Sequence, residues 1–223
     1  MRIRRKKNLE ERIEKRQDYF TYLFDERKDA RGLLPDRLID FKEIFKNDNS
    51  TVLEIGCGKG RFANTLALKN KDINVLAVEK IDNVLISAAE SAAEKSIKNV
   101  HFLCVGAEYL PRYIKEKSIN DIYLNFSCPY PKKRYENHRL TNPKFLEIYK
   151  KLLKDGGFIY QKTDNRQFFE YSLVNYTKCG FYIEEISLDL HNSDVKDNIM
   201  TEYEEKFINK GMQIYFAKIG IKK

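Results

Sequence analysis

The clearest order in the chain begins at residue 51, where short apolar runs and amphipathic stretches start to alternate. Residues 51–55 read as a buried strand, a glycine-rich turn follows, and 62–68 continue as a helix. Residues 73–78 read as a second strand, the alanine-rich 83–95 as a helix and 100–105 as a third strand. The rhythm repeats with 119–126 as a strand, 143–153 as a helix, 158–162 as a strand after Asp155-Gly156-Gly157, and 166–177 as a further helix. The stretches 181–188 and 212–218 look like two closing strands, antiparallel neighbours because no helix is evident between them. This alternation predicts an α/β, Rossmann-like architecture: a mainly parallel, seven-stranded sheet with helices on both faces. Residues 1–48 lack the rhythm and read as a basic arm with helical segments, punctuated by Gly32 and Pro35. The expected division is therefore an N-terminal arm, 1–48, and a main domain, 49–223.

Ligands of such sheets gather beyond the carboxyl ends of the strands, near the switch in strand order. At the first of those ends stands Leu53-Glu54-Ile55-Gly56-Cys57-Gly58-Lys59-Gly60, with a glycine at every second position of the turn. Gly56 and Gly58 remove the Cβ atoms that would keep a ligand off the backbone. The spacing is G-x-G-x-G and not the G-x-G-x-x-G of dinucleotide binders, which favours an adenosyl cofactor without a pyrophosphate. Glu79 closes the second strand 21 residues after Gly58, where a carboxylate can accept hydrogen bonds from two ribose hydroxyls. Glu54 lies within an apolar run, where an unpaired charge is costly, so it is expected to be paired or to reach the cofactor's amino end.

Composition narrows the partners. The chain has 223 residues, 41 basic and 33 acidic, for a net charge of +8. That surface attracts polyanions. The charge is clustered: Arg2, Arg4, Arg5, Lys6, Lys7, Arg12, Lys15 and Arg16 at the start, and Lys132, Lys133, Arg134 and Arg139 interleaved with Tyr130, Tyr135 and His138. Cations beside aromatics suit RNA, whose unstacked bases lie on rings while phosphates meet the charges. No apolar run approaches the length of a membrane span or follows the basic start as a signal core, so no membrane association is expected. Four separated cysteines without a CxxC pair fit a reducing, cytoplasmic setting. No His and carboxylate spacing suggests a metal, and Cys57, Cys104 and Cys128 have the spacing of no metal site although each falls near a strand end.

The segment Leu124-Asn125-Phe126-Ser127-Cys128-Pro129-Tyr130-Pro131-Lys132-Lys133-Arg134-Tyr135, running on to His138-Arg139-Leu140, names a family. It resembles the bacterial tRNA (guanine-N7)-methyltransferases, which read F-[PS]-D-P-W-P-K-x-R-H-x-x-R-R-L here. The likeness continues through Lys162-Thr163-Asp164-Asn165 and Asp189-Leu190-His191-Asn192-Ser193, and ends in Asn198 to Phe207, a T-x-Y-E element of the low-GC Gram-positive type. The resemblance implies a class I fold, S-adenosyl-L-methionine as methyl donor, and tRNA as partner, methylated at N7 of guanine 46 in the variable loop. With Gly56 and Gly58 from the spacing of the turn, it implies cofactor contacts at Glu54, Glu79, Gly106, Ala107 and Cys128, and Cys128, in the place of the family aspartate, is also the candidate catalytic position. Substrate contacts are implied at Lys132, Asp164, Thr201, Glu202, Tyr203 and Glu204. By resemblance alone the protein is a monomer or a homodimer.

Two departures bear on chemistry. Cys128 stands where the family has the aspartate of its D-P-W-P frame, with Tyr130 for the Trp, and Gly106 stands where it has an aspartate before alanine. The family's N-terminal Pro-Trp is also missing, and Glu108, two residues past Gly106, is a candidate replacement for the lost acid. Guanine N7 already carries a lone pair, so transfer needs alignment and no general base. Losing one preorganised carboxylate costs about 10²- to 10³-fold. A catalytically weakened member that binds tRNA and the donor is therefore the alternative reading. A third takes Ser127-Cys128-Pro129-Tyr130 as a decayed amino-methyltransferase turn, which the long downstream match opposes. Cys128 as a nucleophile is set aside for a small filler residue, because N7 needs no covalent activation. Asp164 is open to a second role, capping the helix that starts near Arg166.

Overall fold

A computed structural model describes residues 5–23, 37–196 and 198–222. Arg2, Arg4, Gly32 and Pro35 lie outside the described residues.

The expected strands and helices of the main domain are present. In chain order they are β2 (Ser50–Ile55), α3 (Arg61–Lys69), β3 (Ile73–Glu79), α4 (Asp82–Glu94), β4 (Val100–Cys104), β5 (Ile119–Asn125), α5 (Pro143–Leu152), β6 (Leu153–Thr163), α6 (Arg166–Lys178), β7 (Phe181–Ser187), α7 (Glu202–Ile208) and β8 (Tyr215–Ile221). Before them come α1 (Leu9–Glu14), β1 (Phe20–Tyr22) and α2 (Phe41–Phe45). The helix starts are written locally. Asn142 accepts from the Lys144 N–H ahead of Pro143, Asn165 from the Phe168 N–H, and Thr201 forms a capping box with Glu204.

Among the described residues eight strands form one sheet in the order β1-β4-β3-β2-β5-β6-β8-β7. β1 to β6 run parallel, and β8 is antiparallel to both β6 and β7. From β2 the chain winds outward through β3 to β4, then resumes on the other flank with β5. The switch in strand order therefore falls between β2 and β5, whose carboxyl ends leave a crevice. Leu53, Leu76, Ile122, Ile159 and Tyr149 are fully enclosed in the core on one face; Ala63, Ala67, Ala88 and Ala89 bury the start of the other.

Two expectations are corrected. Seven strands become eight because Phe20–Tyr22, within the segment read as helical, pairs in parallel with β4 through Phe20↔Phe102, Thr21↔Leu103 and Tyr22↔Cys104. A three-residue strand is too short to show alternation, and its partner lies 80 residues away. A helix, α7, also separates β7 from β8, where none was expected; β8 reaches β7 across it and still pairs antiparallel. The basic start is partly committed to packing: Arg12 donates two hydrogen bonds to Glu90 on α4, at 2.7 and 2.6 Å, and the Lys6 N–H donates to Asn83.

β1 is held on β4 around a buried imidazole. His101 Nε2 lies 2.8 Å from Thr21 Oγ1, and burial pushes the His101 pKa down to about 4. A folded pKa below the unfolded value of about 6.5 means that the unfolded chain takes up more protons, so stability is lost as pH falls from about 6.5 toward 4. Urea unfolding at pH 8 and pH 5 is expected to show about 2 kcal/mol more destabilisation in the wild type than in a His101→Gln variant, which has no imidazole to titrate. Equal pH dependence in the two proteins refutes this account of how β1 is held.

Candidate functional site

The crevice between β2 and β5 is floored by a carboxylate. Glu54, in β2, is buried; its Oε1 accepts from Asn125 Nδ2 of β5 at 3.0 Å, while Oε2 is enclosed with no hydrogen-bond partner among the described residues. Burial, only partly offset by the hydrogen bond from Asn125 and the charge of Lys162, pushes the Glu54 carboxyl up to about 7. The turn beyond it is fastened to β3 by the Gly56 and Cys57 N–H groups, both donating to Val78 O. Gly56 and Gly58 have φ of 79° and 57°, the left-handed region that favours glycine. A Cβ on Gly58 would meet nothing within 4 Å, so that position faces open space. Gly60 serves packing instead: a Cβ there would fall 2.4 Å from Ala88 Cβ on α4.

One strand over, Glu79 ends β3 half-buried, its Oε1 accepting from the Ile81 N–H at 3.1 Å. Past β4, Gly106 and Ala107 are buried. An unpaired buried carboxylate oxygen, a backbone turn open to approach and an acid at the next strand end are the features an adenosyl-bearing amino acid requires: a partner for its ammonium, room for its chain and acceptors for its ribose. The residues fit the donor. The crevice itself encloses about 70 Å³, lined by Glu54, Gly56, Gly58, Phe62, Phe126 and Tyr203. That admits one end of a molecule whose site ordinarily spans about 300 Å³ or more. A wider cavity of about 1050 Å³ lies between β1, α2 and the start of β4, but no glycine among the described residues lines it.

The mouth of β5 is strained. Phe126 and Tyr130 have φ of 50° and 41°, an outlying conformation for aromatic residues, and such strain concentrates at working sites. Arg139 pins the loop from below, donating through Nε to Pro129 O at 2.9 Å and through a terminal nitrogen to Tyr130 O at 3.1 Å, with its guanidinium over the Tyr171 ring. Arg139, expected from the sequence among the RNA-facing cations, instead holds the loop's shape. Lys132, Lys133 and Arg134 are exposed beside it. Cys128 is exposed, whereas Cys57 and Cys104 are buried thiols whose pKa burial drives upward.

Beneath this loop sits an ion pair absent from the expectations. Lys162, at the end of β6, donates to Glu204 at 2.7 Å, to Ile199 O at 2.8 Å and to Asn198 at 3.0 Å. Glu204 is 0% exposed. Burial alone would raise its carboxyl, but the Lys162 charge and the hydrogen bonds from Lys162 and Asn198 outweigh it and hold the group below its usual range. His191 Nε2 also lies 2.9 Å from Glu204 Oε1. Of the four expected substrate contacts on this segment, Thr201 and Glu204 are thus occupied with each other and with Lys162. Glu202 and Tyr203 face outward, Tyr203 56% exposed and stacked on Phe126. Glu202 and Glu205 tie α7 to Lys59 and Arg61 beside the glycine turn. Asp164 is not the helix cap, a role taken by Asn165; it is half-buried, and burial raises its carboxyl. A lysine inside the apolar run of β6 was the available signal for the pair, since such a charge is buried only with a partner.

The family model described as "Putative methyltransferase" matches residues 48–217. The tRNA (guanine-N(7)-)-methyltransferase of Geobacillus sp. (strain WCH70) is 43% identical, covering 98% of this chain and 95% of its own. That of Streptococcus mutans serotype c is 40% identical, covering 96% and 97%. The chain belongs to the tRNA (guanine-N7)-methyltransferase family. The enzyme of that name from Listeria monocytogenes serotype 4b is 48% identical over 78% of this chain and 82% of its own. Among solved structures, an antibiotic-related methyltransferase superposes with a TM-score of 0.62 at 17% identity, covering 84% of this chain and 98% of that one. The 16S rRNA methyltransferase KamB gives 0.63 at 13%, covering 84% and 95%, and at these identities the likeness is one of fold. In this family member no described helix is long and apolar enough to cross a membrane.

The buried pair generates a stability prediction. Lys162→Met leaves Glu204 enclosed without its cation and is expected to cost about 3–5 kcal/mol in chemical unfolding. Adding Glu204→Leu should recover part of the loss, since replacing both charges removes the stranded one. A single variant as stable as the wild type contradicts the pairing.

Proposed function

We propose that the protein transfers a methyl group from S-adenosyl-L-methionine to N7 of guanine 46 in the variable loop of tRNA. The observation that carries this reading is the half-satisfied Glu54 carboxylate under an open glycine turn, at the same crevice from which the basic, aromatic loop 126–139 emerges. When bound, the donor supplies an electrophilic methyl group on its sulfonium. Glu54 takes the donor's ammonium with its free oxygen, and Glu79 accepts from the ribose hydroxyls with the oxygen that Ile81 leaves free. Lys132, Lys133 and Arg134 meet phosphates, and Tyr203 with Phe126 offers ring faces to an unstacked base. Asp164, released from capping, accepts from the donor groups of the guanine edge. N7 would attack the methyl carbon with a lone pair it already has while the carbon–sulfur bond breaks and its electron pair returns to sulfur, giving S-adenosylhomocysteine, so these residues orient and exclude water, and none is required as a base at N7.

Purified protein given an unmodified tRNA transcript and labelled donor should place the label on guanine 46, read by chain cleavage at N7-methylguanine. Cys128→Asp should raise kcat/KM by about 10- to 100-fold if a carboxylate there stabilises the positive charge that develops on the base. The catalytically weakened alternative draws on Cys128 itself, an exposed thiol in the aspartate's place; tRNA and donor binding without transfer in either protein would favour it and defeat the proposal.

Binding of the donor's ammonium favours the ionised form of Glu54, whose pKa of about 7 in the free protein lies above the ordinary value. A proton is therefore released on binding below pH 7 and none well above it. Calorimetry with S-adenosylhomocysteine should give a Kd about tenfold weaker at pH 6 than at pH 8. In Glu54→Gln that slope should vanish. A wild-type Kd independent of pH removes Glu54 from the donor site.

A further inference from the structure

Gly106 lacks the side chain that a ligand at the end of β4 would meet, yet a carboxylate occupies that space. A Cβ built on Gly106 would lie 2.7 Å from Glu108 Oε2 and 2.9 Å from its Cδ. Glu108 is the second residue of a short 3-10 turn, Ala107–Arg112, that begins directly after Gly106, and the tightness of that turn lets its side chain fold back over the glycine. It is exposed, and no hydrogen bond or ion pair holds it among the described residues.

The strand order says what this carboxylate would face. β2, β3 and β4 are consecutive neighbours in the sheet, with Glu79 paired against Cys104 and the Val105 N–H donating to Glu79 O. Neighbouring strand ends are about 4.8 Å apart. Crossing them from the crevice outward passes Glu54, then Glu79, then Gly106. A methyl donor of the proposed kind has its parts in the same linear order: amino acid, ribose, adenine. Its ammonium at Glu54 and ribose at Glu79 bring the base to the end of β4, and adenine's exocyclic amine is a hydrogen-bond donor in want of an acceptor.

We infer that Glu108 accepts from the adenine amine of the methyl donor and is the specificity-determining residue for the base, filling the space left by Gly106. This rests on the donor site proposed above. The carboxylate has to come from the neighbour because residue 106 has no side chain, and an aspartate at 106 would compete with it for one space.

Calorimetry on the full chain tests the assignment with two probes, S-adenosylhomocysteine and its inosine counterpart, in which a carbonyl replaces the amine. The wild type is expected to prefer the adenosyl compound by about tenfold or more. Glu108→Ala should lose about tenfold for the adenosyl compound and little for the inosyl one. Gly106→Asp in the Glu108→Ala background should restore the preference, whereas Gly106→Asp alone should bring no gain, its Cβ meeting the Glu108 carboxylate. The inference is overturned if Glu108→Ala binds both probes as the wild type does, or weakens both alike. Absence of heat from the wild type with either probe would instead bring down the donor site itself, and this inference with it.

Discussion

Glu54 is a carboxylate buried in the centre of a sheet beside a crevice, with one oxygen satisfied and the other enclosed without a hydrogen-bond partner among the described residues, and the architecture around it follows from keeping that arrangement tolerable. A parallel sheet buried on both faces ordinarily excludes such a group. Here the strand order reverses between β2 and β5, so the carboxyl ends part. Asn125, at the end of β5, supplies one hydrogen bond, and Lys162, at the end of β6, supplies a nearby positive charge. The neighbouring Gly56 and Gly58 keep the opening free of side chains. The strain of leaving one oxygen unpaired is a local cost that a bound cation would remove.

Lys162 joins this centre to the opposite wall. Its ammonium lies between Glu54, which it influences through space, and Glu204, which it contacts. It holds Asn198 and Ile199 directly and Thr201 through Glu204, which together form the lead-in to α7, and α7 in turn reaches the glycine turn through Lys59 and Arg61. The segment that resembles a substrate motif is thereby organised from inside the protein. Its outward face is Tyr203 stacked on the strained Phe126, which couples the shape of α7 to the loop leaving β5.

What could be read in advance depended on whether the determining contacts were local. The glycine turn, the strand-terminal Glu79 and the helix caps of α5 and α6 are decided within a few residues, so spacing disclosed them. β1 is three residues whose register is set by β4 and by the Thr21 contact to His101, and nothing local marks it. α7 is legible for a different reason. Its capping box, Thr201 with Glu204, stands in the sequence as T-x-x-E, and the family resemblance draws those residues toward substrate while their helix-starting chemistry accounts for them locally. Arg139 looks like surface charge in the sequence because the carbonyls it binds are presented only by the folded loop.

The two departures from the family pattern are not equivalent, and geometry separates them. Gly106 has a carboxylate folded over it from two residues away, so the chemical function missing at one position is present in the same space. Cys128 is exposed at the loop mouth, while Glu54, buried and hydrogen-bonded in β2, and Asp164, half-buried just after β6, belong to other parts of the sheet. Replacing an acid by its neighbour is open to a chain only where the backbone turns tightly enough for the side chain to reach back, as it does after β4. After β5 the chain runs through two prolines, Pro129 and Pro131, in a conformation fixed by Arg139, and no such return is available. Because N7 methylation asks the protein for alignment before charge stabilisation, on the proposed reading the loss at Cys128 falls on the rate of the step and its geometry is left to the rest of the crevice.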